Sequence, residues 1–168
     1  MTFPDEERQR IRSYLVTQAA ERSIEELIGR VDEGVQRLLE AARAIAPDRR
    51  EVSAAEGEWS PAEALRHVAE WHARGAADVL HVALTGERPA GEGPQLPADW
   101  DGLVRLLEET TTSLFEHVRA ADPGAFLEVR WEHPFFGMLN WREWLLFLRL
   151  HALDHARQLG AMAEAARA

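Results

Sequence analysis

"NWREWLLFLRLHALDHARQL", Asn140 to Leu159, is the stretch whose reading decides the fold. Asn140 and Glu143 make the N-x-x-E pattern of a helix start: the Asn side chain caps the first free amides and the Glu reaches back to the cap. An advance of about 100° per residue then sets the faces. With Trp144 as the origin, Leu148 falls near about 40°, Leu159 near about 60° and Met162 near about 0°. One apolar stripe runs along this helix and has to be buried against other helices. His151 lands at about −20° and His155 at about 20°, in the middle of that stripe. A single core histidine bonded to a carbonyl is common. Two, one turn apart, leave several ring nitrogens to satisfy. Joint ligation of a metal ion is the usual solution for an i, i+4 pair.

The rest of the chain supplies the partner helices. From Ile24, the residues Leu27, Ile28, Val31, Val35, Leu38, Leu39, Ala42 and Ile45 recur at helical spacing. Ser23 opens a possible capping box in "SIEE", which favours a break near Arg22–Ser23. "SPAE" gives a second helix its N-cap (Ser60), its Pro61 and its Glu63, and Gly86 stops that helix after about Thr85. A Gly/Pro-rich surface loop, "GERPAGEGPQLP", follows. The next helix presents Trp100, Leu103, Val104, Leu107, Thr111, Leu114 and Val118 on one face and ends at Asp122-Pro123-Gly124. "AFLEVRWEHPFFGML" is the least helical segment and reads as an ordered crossing loop, briefly extended. The expected architecture is all-α: residues 1–168 form a single four-helix-bundle domain with an extra N-terminal helical segment.

Composition narrows the chemistry. The net charge of −10 argues against binding nucleic acid through its phosphates. No apolar run reaches the roughly 18 residues of a membrane span, and "MTFPDEERQR" lacks the build of a signal peptide, so a cytoplasmic protein is expected. There is no cysteine, which removes thiolate ligands and a cysteine nucleophile. All 19 basic residues are arginine, so there is no Schiff-base lysine and no phosphate-loop lysine.

A metal on His151 and His155 needs a third ligand. His117 lies near a helix end, where a cationic ring suits the dipole; His133 precedes Pro134 and is expected to bond backbone; His81 is expected in solvent. His67 and His72 remain, on opposite edges of the Ala64, Val68, Trp71 stripe, and their spacing does not choose between them. Gln158, near about −40° on the last helix, can orient a ligand from the second layer, and Trp71, one turn beyond His67, can line a pocket.

Two segments also carry a family resemblance. "EWSPAEALRHVAEWH" resembles the W-S-x-x-E-x-x-x-H pattern of the DinB-like superfamily of bacterial four-helix metalloproteins through Trp59, Ser60, Glu63 and His67. "HPFFGMLNWREWLLFLRLHALDHARQL" resembles its H-P-x-F-G loop and terminal H-x-x-x-H helix through His133, Pro134, Phe136, Gly137, His151 and His155. With "IRSYLVTQAAERSIEELI" similar to the family's first helix, the likeness spans about Ile11 to Leu159. It implies a metal centre of His67, His151 and His155, and so prefers His67 over His72. Zinc, nickel, manganese and ferrous iron all suit three imidazoles.

The resemblance further implies thiol chemistry, since characterised relatives include bacillithiol transferases and mycothiol-dependent isomerases. A transferase acting on a small cellular thiol and a small-molecule electrophile is the first expectation. A metal hydrolase, which would need a general base beside the ion, and a non-catalytic metal-binding bundle are the alternatives. Leu15 lies about 180° from Ile24, so Ile11 and Leu15 point away from the face that Ile24 buries, and such uncovered apolar surface leads to the expectation of a homodimer.

Overall fold

The computed structural model describes residues 4–89 and 93–165. In chain order it holds α1 (Asp5–Glu21), α2 (Ile24–Arg43), α3 (Pro61–Thr85), α4 (Trp100–Ala120), β1 (Arg130–His133), β2 (Gly137–Asn140) and α5 (Trp141–Ala165), with one 3₁₀ turn at Pro47–Arg49. Helices α2 to α5 form the bundle. α5 packs against α2 and α3, α4 packs against α3 and α2, and α1 lies on α5. Among the described residues no helix is long and apolar enough to cross a membrane.

The starts of α2 to α5 are built by side chains, as their sequences require. Ser23 and Glu26 close a capping box on α2, and Ser60 and Glu63 close one on α3. At α5 the Asn140 side-chain oxygen accepts the amides of Arg142 and Glu143, each at 3.0 Å. The Glu143 carboxylate returns to the Asn140 amide at 3.0 Å. α3 ends where Gly86 turns left-handed at φ 73°, with Phe126 packed where a β-carbon would sit, so no other residue fits. The loop after it begins at Gly86, and its residues 90–92 lie outside the described ones.

The core is the sum of the facing stripes. Leu27, Val31, Val35 and Leu38 of α2, Leu65 and Val68 of α3, Leu107 and Leu114 of α4, and Leu145 and Leu159 of α5 are all buried in it. Each such side chain contributes roughly 1.5–3 kcal/mol by leaving water. Gly34 lets α2 come close to α5: a β-carbon there would lie 3.0 Å from the Arg149 carbonyl. That close approach helps fix the height of α5, and with it the height of His151 and His155.

Two expectations are corrected. The segment read as a crossing loop is a β-hairpin, with Trp131 opposite Leu139 and His133 opposite Gly137. Pro134, Phe135 and Phe136 make its turn, Gly137 opens β2 at a positive φ of 71°, and the His133 Nδ1 accepts the amides of Phe135 (3.1 Å) and Phe136 (3.3 Å). That agrees with the reading of His133 as a residue that bonds backbone. The second correction concerns α1. The helix does break at Arg22–Ser23, but α1 folds back onto α5, and Leu15 is fully buried in the core with Ile11 packed at its edge. The apolar surface that motivated a homodimer is therefore covered within the chain.

Arg142 holds this arrangement and was not singled out in the sequence. Its buried guanidinium donates to the carbonyls of Ala19 (2.9 Å), Pro123 (3.0 Å) and Arg22. Two of these belong to the end of α1, whose last turn contains no basic residue of its own. A cation from α5 thus satisfies the carbonyls and the dipole that α1 leaves open.

Candidate metal centre

His67 projects from the second turn of α3, and His151 and His155 project from successive turns of α5. The packing of α3 on α5 brings the three rings together. Their centroids are 5.5 Å (His67–His151), 5.1 Å (His67–His155) and 4.6 Å (His151–His155) apart. Each offers one nitrogen, and these nitrogens all lie within 4.8 Å of one another. The Nε2 atoms of His151 and His155 are 3.2 Å apart. Two ligands about 2.0–2.1 Å from a tetrahedral ion stand about 3.3 Å apart, so this edge fits a shared ion.

The protonation states are those of ligands. Burial lowers the pKa of His67, helped by neighbouring His155 and opposed by Glu70. Burial also lowers His151 well below the usual imidazole value, with His155, His67, His72 and His133 adding to the effect. His155 is lowered by burial, against the Gln158 hydrogen bond and Asp154. Burial thus favours the neutral form of all three rings, the form with a lone pair to donate. Gln158 decides where one of them points: its side-chain oxygen lies 2.8 Å from His155 Nδ1. With the amide oxygen assigned to that position, Nδ1–H is the donor and Nε2 is left free toward His151.

The other histidines fall where their surroundings put them. His72 is buried on the far edge of α3, 2.9 Å from the Thr111 hydroxyl, and burial depresses its pKa to about 4. His117 is exposed and donates from Nδ1 to the Ser113 carbonyl at 2.8 Å. His81 is exposed beside Glu87. Of the two edge candidates on α3, His67 is the one that joins the α5 pair.

Aromatic rings enclose the cluster. Trp71 stands 6.2 Å from His67 and 6.1 Å from His151, so the proposed lining position does face the histidines. Phe147 stacks on His151 at 5.7 Å. Trp59 was read only as part of a motif, yet its indole lies 4.9 Å from His67 and 6.5 Å from His155. It precedes the Ser60 cap in non-helical backbone, where helical face counting does not apply.

The sequence model of the DinB superfamily matches residues 30–159. The chain belongs to the DinB superfamily. No curated protein matches it. A solved structure described as that of TT2238, a four-helix bundle protein, is similar to this DinB superfamily chain at 27% identity and a TM-score of 0.60, over 83% of this chain and 99% of the other. The superfamily match ends at Leu159 and so takes in all three histidines, whereas α1 lies outside it.

Proposed function

We propose that His67, His151 and His155 hold a divalent metal ion with at least one coordination position open, and that the protein is a thiol S-transferase. The observation that carries this is the convergence of three imidazoles, two with their Nε2 atoms 3.2 Å apart, in a cluster that contains no carboxylate among the described residues. Three protein ligands leave room for a small molecule, as in catalytic rather than structural zinc sites. Zinc, nickel, manganese and ferrous iron remain the candidates.

A bound ion would lower the pKa of a coordinated thiol, so that the thiolate is available for attack at neutral pH. The chain's own residues prepare the position. Gln158 holds His155 in the tautomer that presents Nε2, Phe147 backs His151, and Trp59 and Trp71 keep bulk water off the flanks of the rings. The protein has no cysteine to compete with an incoming thiol. Glu63, the nearest motif carboxylate in sequence, is held in the capping box by the Ser60 amide at 2.7 Å and is not placed as a general base. Glu70 and Asp154 act on His67 and His155 electrostatically, so a metal hydrolase is the second reading.

The test begins with elemental analysis of protein purified without a metal-affinity step. It continues with turnover of a chromogenic aryl halide by several small thiols. About one ion per chain and thiol-dependent product formation, both lost in a His67→Ala/His151→Ala/His155→Ala variant, are the expected results. Metal content that the triple substitution does not change would refute the site. Full metal occupancy without turnover with any thiol would refute the transferase.

A further inference from the structure

We infer that Trp59 and Trp71 are the surfaces on which the ligand of the histidine cluster lays a flat apolar group, so that the open coordination position favours an aromatic ligand over an aliphatic one. This rests on the metal reading above but not on thiol chemistry. Five large apolar side chains are exposed among the described residues (Val52, Trp59, Leu84, Phe135 and Met138), and Trp59 is the one that packs on the cluster. It remains 43% exposed there. An indole left in water beside a binding centre has most to gain from being covered by a ligand.

The ring geometry names the kind of ligand. The Trp59 plane lies within 9° of the His155 plane, so the indole presents a face rather than an edge along that ring. Trp71, on the turn of α3 that follows His67, takes the other flank and is tilted 48° to His67 and 61° to His151. His67 lies between the two indoles and is less buried than His155. A molecule bound beside His67 is therefore within reach of Trp59 on the His155 side and of Trp71 on the His151 side. Gln158 already spends one acceptor position of its oxygen on His155 Nδ1. A planar apolar substituent next to the metal-binding atom complements this surface best.

The test uses the full chain loaded with cobalt(II), whose visible absorption reports inner-sphere binding without any turnover. Imidazole and 4-phenylimidazole are titrated into wild type, Trp59→Leu and Trp59→Phe, and the ratio of their dissociation constants is compared. Comparing ratios cancels differences in probe basicity. Wild type should favour 4-phenylimidazole, Trp59→Leu should reduce the preference about two- to tenfold, and Trp59→Phe should keep most of it. Far-UV circular dichroism and cobalt content should match across the three proteins. An unchanged ratio in Trp59→Leu overturns the inference. Loss of cobalt from Trp59→Leu also overturns it, because the indole would then be supporting the ligands rather than receiving the guest. Failure of wild type to take up cobalt, read before any probe is added, defeats the metal reading itself and this inference with it.

Discussion

His72 provides a sharp test of the packing beneath the histidine cluster. It is 1% exposed, its ring meets the Thr111 hydroxyl, and burial lowers its pKa to about 4 from the 6.5 of an ordinary imidazole. The sign follows from linkage. Because the folded pKa is depressed, the unfolded chain takes up the proton first. Stability is therefore fully present above about pH 6.5 and is lost as pH falls toward about 4. Each unit in that window costs about 1.4 kcal/mol. At pH 5 the loss from this one residue is about 2 kcal/mol, and below pH 4 it reaches about 3 kcal/mol. His133, also depressed to about 4, and the three clustered histidines push in the same direction, so wild type alone does not isolate His72. The assay is urea unfolding at pH 7 and pH 5, with EDTA present, for wild type and His72→Gln. The variant keeps a hydrogen-bonding group near Thr111 but no titrating ring. Its loss of stability between the two pH values should be about 2 kcal/mol smaller than that of wild type. Equal losses would show that His72 is not held neutral in the core, and the description of that contact would be wrong.

His67→Ala, His151→Ala and His155→Ala should each bring bound metal far below one ion per chain, while His72→Ala leaves it near the wild-type level, as measured by elemental analysis. The opposite pattern at His67 and His72 would overturn the ligand assignment. Chelation should leave the helical circular dichroism intact, because the core is complete without an ion. The free energy of unfolding should fall by about 3 kcal/mol if free ion had stood about a hundredfold above Kd; collapse of the helical signal at room temperature would make the ion structural. Arg142→Ala should destabilise by about 2–3 kcal/mol, since it strips partners from the Ala19, Arg22 and Pro123 carbonyls. A cleft of about 500 Å³ beside Arg142 admits some compensating water, and a shift near zero in denaturant midpoint would mean that water replaces the guanidinium fully.

The helical stripes were legible because each repeats over several turns and starts at a side-chain cap. Ser23, Ser60 and Asn140 each do in space what their sequence context says. The α5 half of the cluster was legible for the same reason, as His151 and His155 share a rigid local frame. His67 against His72 was not decided by periodicity. Both flank the α3 stripe, and which edge meets α5 depends on how two helices rotate against each other. The family resemblance supplied that rotation. The brief extension of the aromatic segment was legible, but its pairing into a hairpin was not: its four-residue strands are too short to display alternation, and Pro134 in the turn and Gly137 at the start of β2 look like loop residues in isolation. The docking of α1 was missed because it depends on Arg142, a long-range contact that local pattern does not contain.

The chain order of the three histidines sets when the cluster can exist. His151 and His155 are neighbours as soon as α5 forms, but between His67 and His151 the chain runs through the remainder of α3, all of α4 and the hairpin. A nascent or partly unfolded chain can therefore offer an ion only the two-point grip of α5. The third ligand arrives only when α3 docks on α5. If the cluster holds the proposed ion, capture would wait for that docking: a chain with misplaced helices would fail to load, and loading would report on quality of folding as well as on supply of metal.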